Sequence, residues 1–254
     1  KQLKDTEKRD KYRIYGELIN TYGYDVPQGS KSFQALNYYT GEEISIPLDP
    51  QIPVQENATK YFDKYGKLKR TFEAVTALLK ETDEEIQHLR SIQTALDIAL
   101  QEEDLTQIRE ELMESGYIRK RPSGSKRPKI TSKPFHYISS DGFHMYVGKN
   151  NYQNDMLTFK TATGNDWWFH VKQAPGSHVI VQCNNEEPPI RTFEEAASLA
   201  AHFSQKASSD KVEIDYTQKK NVKKPNGSKP GFVVYYTNYS MVVSPDIDGI
   251  EEVH

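Results

Sequence analysis

The stretch VQENATKYFDKYGKLKRTFEAVTALLKETDEEIQHLRSIQTALDIAL, residues 54–100, carries the clearest periodicity in this 254-residue chain. Side chains spaced alternately by three and four keep one register: Ala58, Tyr61, Tyr65, Leu68, Phe72, Val75, Leu79, Thr82, Ile86, Leu89, Gln93, Leu96 and Leu100. Eleven of these thirteen are apolar or aromatic, and no Gly or Pro lies between Lys67 and Ser115. The pattern predicts one long coiled-coil helix over 55–101, about 70 Å long at ~1.5 Å per residue.

This predicted helix needs a partner, because a single heptad helix cannot bury its own seam. The sequence opens at Lys1, without Met, inside a charged and helix-like segment. We therefore expect a piece of a longer protein whose upstream part supplies the matching helix. Without that helix, we expect the seam to self-associate with a second copy or to stay uncovered. Thr82 and Glu85 have the spacing of a capping box that would start a second helix, but the unbroken register favours one helix.

Shorter elements are predicted on both sides of the long helix. Residues 1–22 predict the end of another helix, and residues 33–48 predict a β-hairpin. Residues 104–115 predict a short helix that Gly116 closes. The basic, Pro/Ser/Gly-rich segment 119–134 predicts a linker, for which a solvated connector is favoured over a nucleic-acid contact.

Residues 135–244 predict a compact mixed α/β domain. Strands are predicted at 135–139, 143–147, 167–172, 178–182, 211–216 and 232–237, and helices at 150–160 and 192–207. Thr192, with Glu195 three residues later, is predicted to cap the second helix. With the coiled-coil region and its hairpin in residues 1–118 and an acidic tail in residues 245–254, the fold class is α+β.

Charge is distributed unevenly along the chain. The net charge is −3, yet residues 125–244 carry 15 basic and 10 acidic side chains. That excess of positive charge makes polyanions the natural partners of this segment. A single cysteine, Cys183, excludes an internal disulfide framework and a Cys-rich zinc site. No apolar run approaches the roughly 20 residues of a membrane-spanning helix.

A lysine-rich loop is the first candidate binding feature. The segment TQKKNVKKPNGSKPG lies between the predicted strands 211–216 and 232–237 and holds five cations and no acid: Lys219, Lys220, Lys223, Lys224 and Lys229. Its Pro and Gly residues predict a shaped turn and not a helix, so the segment is expected to be the hairpin loop that joins these two strands. A solubilising loop is the simpler alternative, but the ordered pattern favours a phosphate contact.

The segment VGKNNYQND, residues 147–155, is the second candidate. Lys149, Asn150 and Asn151 precede a predicted helix, whose free N–H groups favour anions. Helix capping by either asparagine is an equally good explanation. Lys160, in the same predicted helix, is included as a further cation for nucleic acid.

The segment NDWWFHVKQAPGSHV, residues 165–179, is the third candidate. Strand alternation puts Trp168 and His170 on one face, and His178 follows the Pro-Gly turn. At least one of the two tryptophans is expected in the core. The functional alternative is a base-stacking platform that includes Trp168, His170 and His178.

Catalysis has weaker support from the residues. Asp166, His170 and His178 could hold a metal, or could join Ser177 in a hydrolase-like set. Neither alternative shows a recognised motif spacing. We therefore expect a non-catalytic binding protein with no metal and no cofactor, and Cys183 as a small buried residue.

Three motifs resemble the RNA-binding module of the NFACT family: SSDGFHMYVGKNNYQND, DWWFHVKQAPGSHVI and DYTQKKNVKKPNGSKPGFVVYY. Upstream, GELINTYGYDVPQGS, NYYTGEEISIPLDP and ENATKYFDKYGKLKR resemble the coiled-coil middle region of the same family. The family includes bacterial ribosome quality-control factors and fibronectin-binding protein A-like proteins, and the composition is most similar to streptococcal members.

The resemblance implies an RNA-binding arm that contacts stalled large ribosomal subunits and tRNA and supports template-free C-terminal alanine tailing. The family's tRNA-selecting residues lie in an N-terminal domain that these motifs do not cover, so none is carried over. Fibronectin binding by a surface adhesin is the alternative expectation. The implied location is the cytoplasm, with cell-surface display under the adhesin alternative.

Overall fold

The computed structural model describes residues 8–122 and 124–253. The chain divides into two compact units, Lys1–Glu84 and Glu85–His254, and the α+β class is confirmed. None of the described helices combines the length and apolar character that crossing a bilayer requires.

The first unit packs a helix and a β-hairpin against the start of the long helix. Helix α1 spans Asp10–Tyr22, strand β1 spans Ser32–Asn37, and strand β2 spans Glu42–Pro47. The two strands pair antiparallel, which confirms the predicted hairpin. Their inward residues join a core of Leu18, Ile19, Ala35, Ile46, Leu48, Val54 and Ala58. The predicted helix 1–22 is confirmed from Asp10 onward, and its first seven residues lie outside the described part of the chain.

Helix α2, Val54–Ile98, is a single helix of 45 residues, as the periodicity predicts. Thr82 does not cap a second helix; its hydroxyl donates to the carbonyl of Leu78 at 2.8 Å, within the same helix. Helix α3 follows at Glu102–Glu114. Gly116 adopts a φ of +79° just after it, which is the left-handed conformation expected of a closing glycine.

The predicted seam of α2 is not covered along its second half. Leu79, Ile86, Leu89 and Leu96 are between 42% and 53% exposed. The last turns instead bury residues one position away from the seam, and Ile92 and Ala95 pack with Ile108 of α3 and its neighbours. Self-association through the seam therefore stays a prediction.

The second unit is built around a seven-stranded antiparallel sheet. Its strands are β3 (Phe135–Ile138), β4 (His144–Val147), β5 (Trp167–Val171), β6 (Val179–Val181), β7 (Val212–Gln218), β10 (Tyr239–Val243) and β11 (Glu251–Glu252). They lie in the order β10-β7-β5-β6-β4-β3-β11. Two short strands, β8 (Val222–Lys223) and β9 (Val234–Tyr235), form a separate hairpin.

Both faces of the sheet are covered, at least in part. Helix α5, Ile190–His202, packs on one face and buries Ala196, Leu199 and Ala200 against the strands. Helix α4, Asn151–Met156, continues into a π-helical turn at Leu157–Thr161. This turn and the β8–β9 hairpin pack on the opposite face over Trp168 and Ile180.

Two predictions need correction. Residues 232–237 do not pair with 211–216: Val234–Tyr235 pairs with Val222–Lys223, and β10 takes the place beside β7. Thr192 does not cap its helix, which begins at Ile190; its hydroxyl donates to Asp141 Oδ2 at 2.9 Å. Within the acidic tail, Glu251–Glu252 forms the edge strand beside β3.

Candidate nucleic-acid interface

The lysine loop follows β7 and is an ordered structure. A 3-10 turn at Lys219–Asn221 leads into the β8–β9 hairpin. The rest of the loop is fastened to α4 by Asp155, which forms an ion pair with Lys224 and accepts a hydrogen bond from the Gly231 N–H at 3.1 Å. Gly231 has a φ of +76°, and a Cβ there would lie 2.6 Å from the Asn151 side chain. Only glycine fits this close approach.

The lysines of this region differ in exposure and in whether their ammonium groups have a partner within the protein. Lys160, Lys220 and Lys223 are exposed, and none of the three has an ion-pair partner among the described residues. Lys224 is exposed but pairs with Asp155. Lys219 and Lys229 are half-buried, with their ammonium groups 5.7 and 5.5 Å from the ring centroids of Phe159 and Tyr117. Three free cations therefore remain for an anionic partner.

Exposed aromatic rings lie beside those cations on the β8–β9 hairpin. Val222 is buried, and Val233 and Tyr235 pack inward with it. Lys223 follows Val222 in β8, Phe232 lies two residues before β9, and Tyr236 directly follows β9; all three side chains are exposed, and we call them the hairpin face. Phe232 is 51% exposed and Tyr236 is 82% exposed. Rings that are open to solvent beside lysines suit the stacking of unpaired bases.

Sequence reasoning missed both rings, because the residues between them carry no signal. Val233, Val234 and Tyr235 are all apolar or aromatic, so no alternation with polar residues separates a buried side from an exposed one.

Trp168 is fully buried beneath the hairpin, with 0% exposure. Its ring stacks on His170 at 5.6 Å between centroids and meets Tyr235 at 5.0 Å. His178 is 1% exposed, and its Nδ1 hydrogen-bonds with the hydroxyl of Thr158 at 2.7 Å. Two members of the predicted stacking platform, Trp168 and His178, are therefore part of the core, and the third, His170, is half-buried against the Trp168 ring. We leave all three out of the interface.

These two histidines predict a pH dependence of stability. Burial lowers the pKa of His170 to about 4 and lowers the pKa of His178 well below its ordinary value. The unfolded chain, with a histidine pKa of about 6.5, then binds more protons than the folded chain. Their contribution is complete above pH ~6.5 and is lost as the pH falls toward about 4, by at most ~1.4 kcal/mol per pH unit for each histidine. Denaturant unfolding across this pH range measures the slope, and a His170→Gln variant should flatten it; an equal slope in both proteins would contradict the assignment.

Lys149, Asn150 and Asn151 also have structural roles. Lys149 Nζ lies 3.2 Å from Asp104 Oδ1 of α3. Asn150 caps α4 by accepting a hydrogen bond from the Gln153 N–H at 3.0 Å and donates to Gln107 at 3.0 Å. Asn151 donates to Ser91 and Glu111, both at 2.8 Å. These contacts connect the sheet domain to the end of α2 and to α3, and the two asparagines are buried.

Among the residues considered for catalysis, Asp166 has both carboxylate oxygens occupied by the backbone. Asp166 accepts hydrogen bonds from the backbone N–H groups of Thr163 and Cys183, at 2.7 and 2.9 Å. Among the described residues, no three or more His, Cys, Asp or Glu side chains are grouped to hold a metal ion. Cys183 is buried as expected, and burial raises the pKa of its thiol to about 11.

Comparison with known proteins assigns both parts of the chain. The family described as "NFACT N-terminal and middle domains" matches residues 1–131, and the "NFACT protein RNA binding domain" matches residues 133–236. The protein called "Rqc2 homolog RqcH" from Streptococcus suis is 42% identical over 253 residues, which are 98% of this chain and 45% of that protein. Its namesake from Bacillus subtilis is 39% identical over 254 residues, 98% of this chain and 44% of that protein. The chain thus spans about half the length of these curated relatives.

A solved structure is also similar. It is described as the C-terminal part of the fibronectin/fibrinogen-binding protein from Streptococcus suis, and it is 37% identical in sequence. The TM-score is 0.75, and the alignment covers 97% of this chain and 85% of that one.

Proposed function

Because the chain belongs to the NFACT family, we propose that its second unit binds single-stranded RNA through the hairpin face and the free lysines around it. The observation that supports this is the pair of exposed rings, Phe232 and Tyr236, on either side of strand β9, which pairs with the strand that carries Lys223. No Asp or Glu occurs in the sequence between Asp215 and Asp246, so the segment that carries these residues is wholly cationic. Rings that stack on bases, together with lysines that meet phosphates, are the usual means of binding unpaired strands.

In the whole protein, this arm would serve ribosome quality control. We propose that it contacts the RNA of stalled large subunits and tRNA, and so supports the addition of C-terminal alanine. The names of the curated relatives support a role in this process. The proposed place of action is the cytoplasm, where ribosomes work, and the chain is proposed to contribute binding and no catalytic step.

Fibronectin binding is the alternative. It is supported only by the description of the related streptococcal structure, and no surface feature described above favours a protein ligand over RNA. Cell-surface display likewise has no structural support. Purified fibronectin therefore enters the experiment below as a competitor.

The experiment measures binding of the full chain to labelled single-stranded RNA, tRNA and large ribosomal subunits across a salt series. The logarithm of the binding constant should fall linearly with the logarithm of salt concentration, with a slope of about −0.7 for each phosphate neutralised on a single strand. Lys220→Glu and Lys223→Glu should each weaken binding several-fold and make the slope shallower by about 0.7.

Lys211→Glu is the matched control. Lys211 is exposed, has no ion pair among the described residues, and lies eight residues before Lys219 along β7, roughly 26 Å away at ~3.3 Å per residue. Binding that ignores salt, or that falls equally in Lys211→Glu, would argue against the proposal. Competition by fibronectin at the same site would support fibronectin binding as the function.

A further inference from the structure

A polar recess lies at the edge of the sheet, beside the first two lysines of the loop. It is formed by the turn 163–166, which precedes β5, and by residues 182–185, which follow β6. Its volume is about 330 Å³. Pockets for small molecules are commonly ~300–1,000 Å³, so this recess is sized for one small planar group and not for a longer ligand.

Amide side chains dominate the lining of the recess. Asn165, Gln182, Asn184 and Asn185 all contribute to it. No side-chain hydrogen bond joins any of these four amides to another protein group in the described part of the chain. Their donors and acceptors are therefore available to a ligand.

Backbone geometry explains only part of this composition. Asn184 and Asn185 have φ values of +47° and +68°, and asparagine tolerates that left-handed conformation better than most residues. Asn165 and Gln182 do not adopt it. Asn165 is exposed and Gln182 is half-buried, so water can reach both amides in the free protein and a ligand can replace it. A carboxamide offers a donor and an acceptor side by side, which matches the edge of a nucleobase.

The charges around the recess favour a base over a phosphate as the group bound inside it. Asp166 is 3% exposed and lies in the wall with both oxygens occupied by backbone N–H groups. A phosphate inside the recess would meet this carboxylate. The backbone of the lysine loop reaches the rim, where the N–H groups of Lys219 and Lys220 donate to the carbonyls of Asp166 and Gly164 at 2.8 and 3.1 Å, and the Lys220 side chain there is exposed. The interior thus suits a neutral polar group, and the rim suits the adjoining phosphates.

We propose that this amide recess binds the base of one unpaired nucleotide in an RNA strand, with Asn165 and Gln182 hydrogen-bonding to its edge and Lys220 contacting the adjoining phosphate. The inference rests on the proposed function, since the same strand would continue from Lys220 onto the hairpin face at Lys223. It adds a base preference, which stacking on Phe232 and Tyr236 does not require.

The test compares the full chain with an Asn165→Ala/Gln182→Ala variant against end-labelled homopolymers of A, C, G and U at one salt concentration. The unaltered chain should prefer one base over the least favoured by about 5- to 100-fold, the range of a good base-edge contact. The variant should bind all four alike, with an unchanged salt slope. Lys223→Glu should weaken binding to all four while it keeps their order. Asn165→Asp, which is isosteric but only accepts hydrogen bonds, should change the order toward bases with exocyclic amino groups.

The outcomes separate the two proposals. Binding with no base preference, or a preference that survives in the double variant with a native-like melting curve, would overturn the recess assignment and leave RNA binding intact. A failure to bind any RNA, even at low salt, would overturn both.

Discussion

Replacing Lys149 with Met should lower the free energy of unfolding of the second unit by about 3–5 kcal/mol, because it leaves a buried carboxylate without its cation. The side chains of Lys149 and Asp104 are only 12% and 1% exposed. Asp104 also accepts hydrogen bonds from Ser132 at 2.5 Å and from the Gln101 N–H at 3.3 Å, so its charge is fixed in place. Met keeps the packing of the lysine stem and removes only the charge.

Tryptophan fluorescence in a denaturant series measures the free energy of unfolding of the second unit. The chain has two tryptophans, Trp167 and Trp168, and both lie in the second unit. Arg127→Met is the control, because Arg127 pairs with Glu114 at 3.5 Å with side chains 82% and 49% exposed, and such surface pairs are worth about 1 kcal/mol or less. Adding Asp104→Asn to Lys149→Met should restore part of the loss. Equal losses for Lys149 and Arg127 would contradict this account.

The same ion pair predicts behaviour in acid. Burial pushes the pKa of Asp104 upward, but hydrogen bonds from Ser132 and Lys149 outweigh burial, so the pKa is lowered overall. A lowered carboxyl pKa stabilises the fold above the unfolded value of ~3.9, and the contribution is lost as the pH falls through the folded value. Without Lys149 the opposing effect of burial remains, so the variant should lose stability at a higher pH than the unaltered chain.

The largest effect on RNA binding is expected from the double variant Phe232→Ala/Tyr236→Ala. Stacking of a base on an aromatic ring contributes about 1–3 kcal/mol, so each ring should account for roughly 5- to 150-fold in Kd. The salt slope should stay unchanged, because neither substitution removes a charge. Fluorescence anisotropy with a short single-stranded RNA at two salt concentrations measures both quantities.

Tyr24→Ala is the control for this variant, because Tyr24 is 81% exposed and lies in the first unit. It should bind RNA like the unaltered chain. If the double variant retained its affinity, the two rings would contribute nothing, and binding would have to come from the lysines alone.

The sequence was most informative where structure depends on neighbours in the chain. The period of residues 54–100 predicts α2 because every contact that defines a helix lies within four residues. The hairpin of the first unit follows in the same way from its alternation and turn. Strand β10 was missed because its sequence, YSMVV, is short and follows closely after β9, so nothing local assigns it to β7.

The candidate site was less predictable, because contacts between residues far apart in the sequence decide which of its side chains are buried and which are exposed. Alternation correctly separates Trp167 from Trp168, but only the packing of the β8–β9 hairpin decides that Trp168 is buried. Asn150 and Asn151 find their partners 43 and 60 residues away, on α3 and α2. The segment 147–155 therefore resembles an anion site in the sequence, although Asn150 and Asn151 form hydrogen bonds with other residues of the protein.

The two edge strands of the sheet differ in how readily each could pair with a strand of another molecule. On one margin, β11 is two residues long and carries Glu251 and Glu252, and a short, charged edge resists pairing with another molecule. On the other margin, β10 is five residues long, and Tyr239 and Val242 are 59% and 61% exposed. At high protein concentration, aggregation that begins from the native sheet would start at β10, and a lysine or proline placed there would improve colloidal stability without touching the hairpin face.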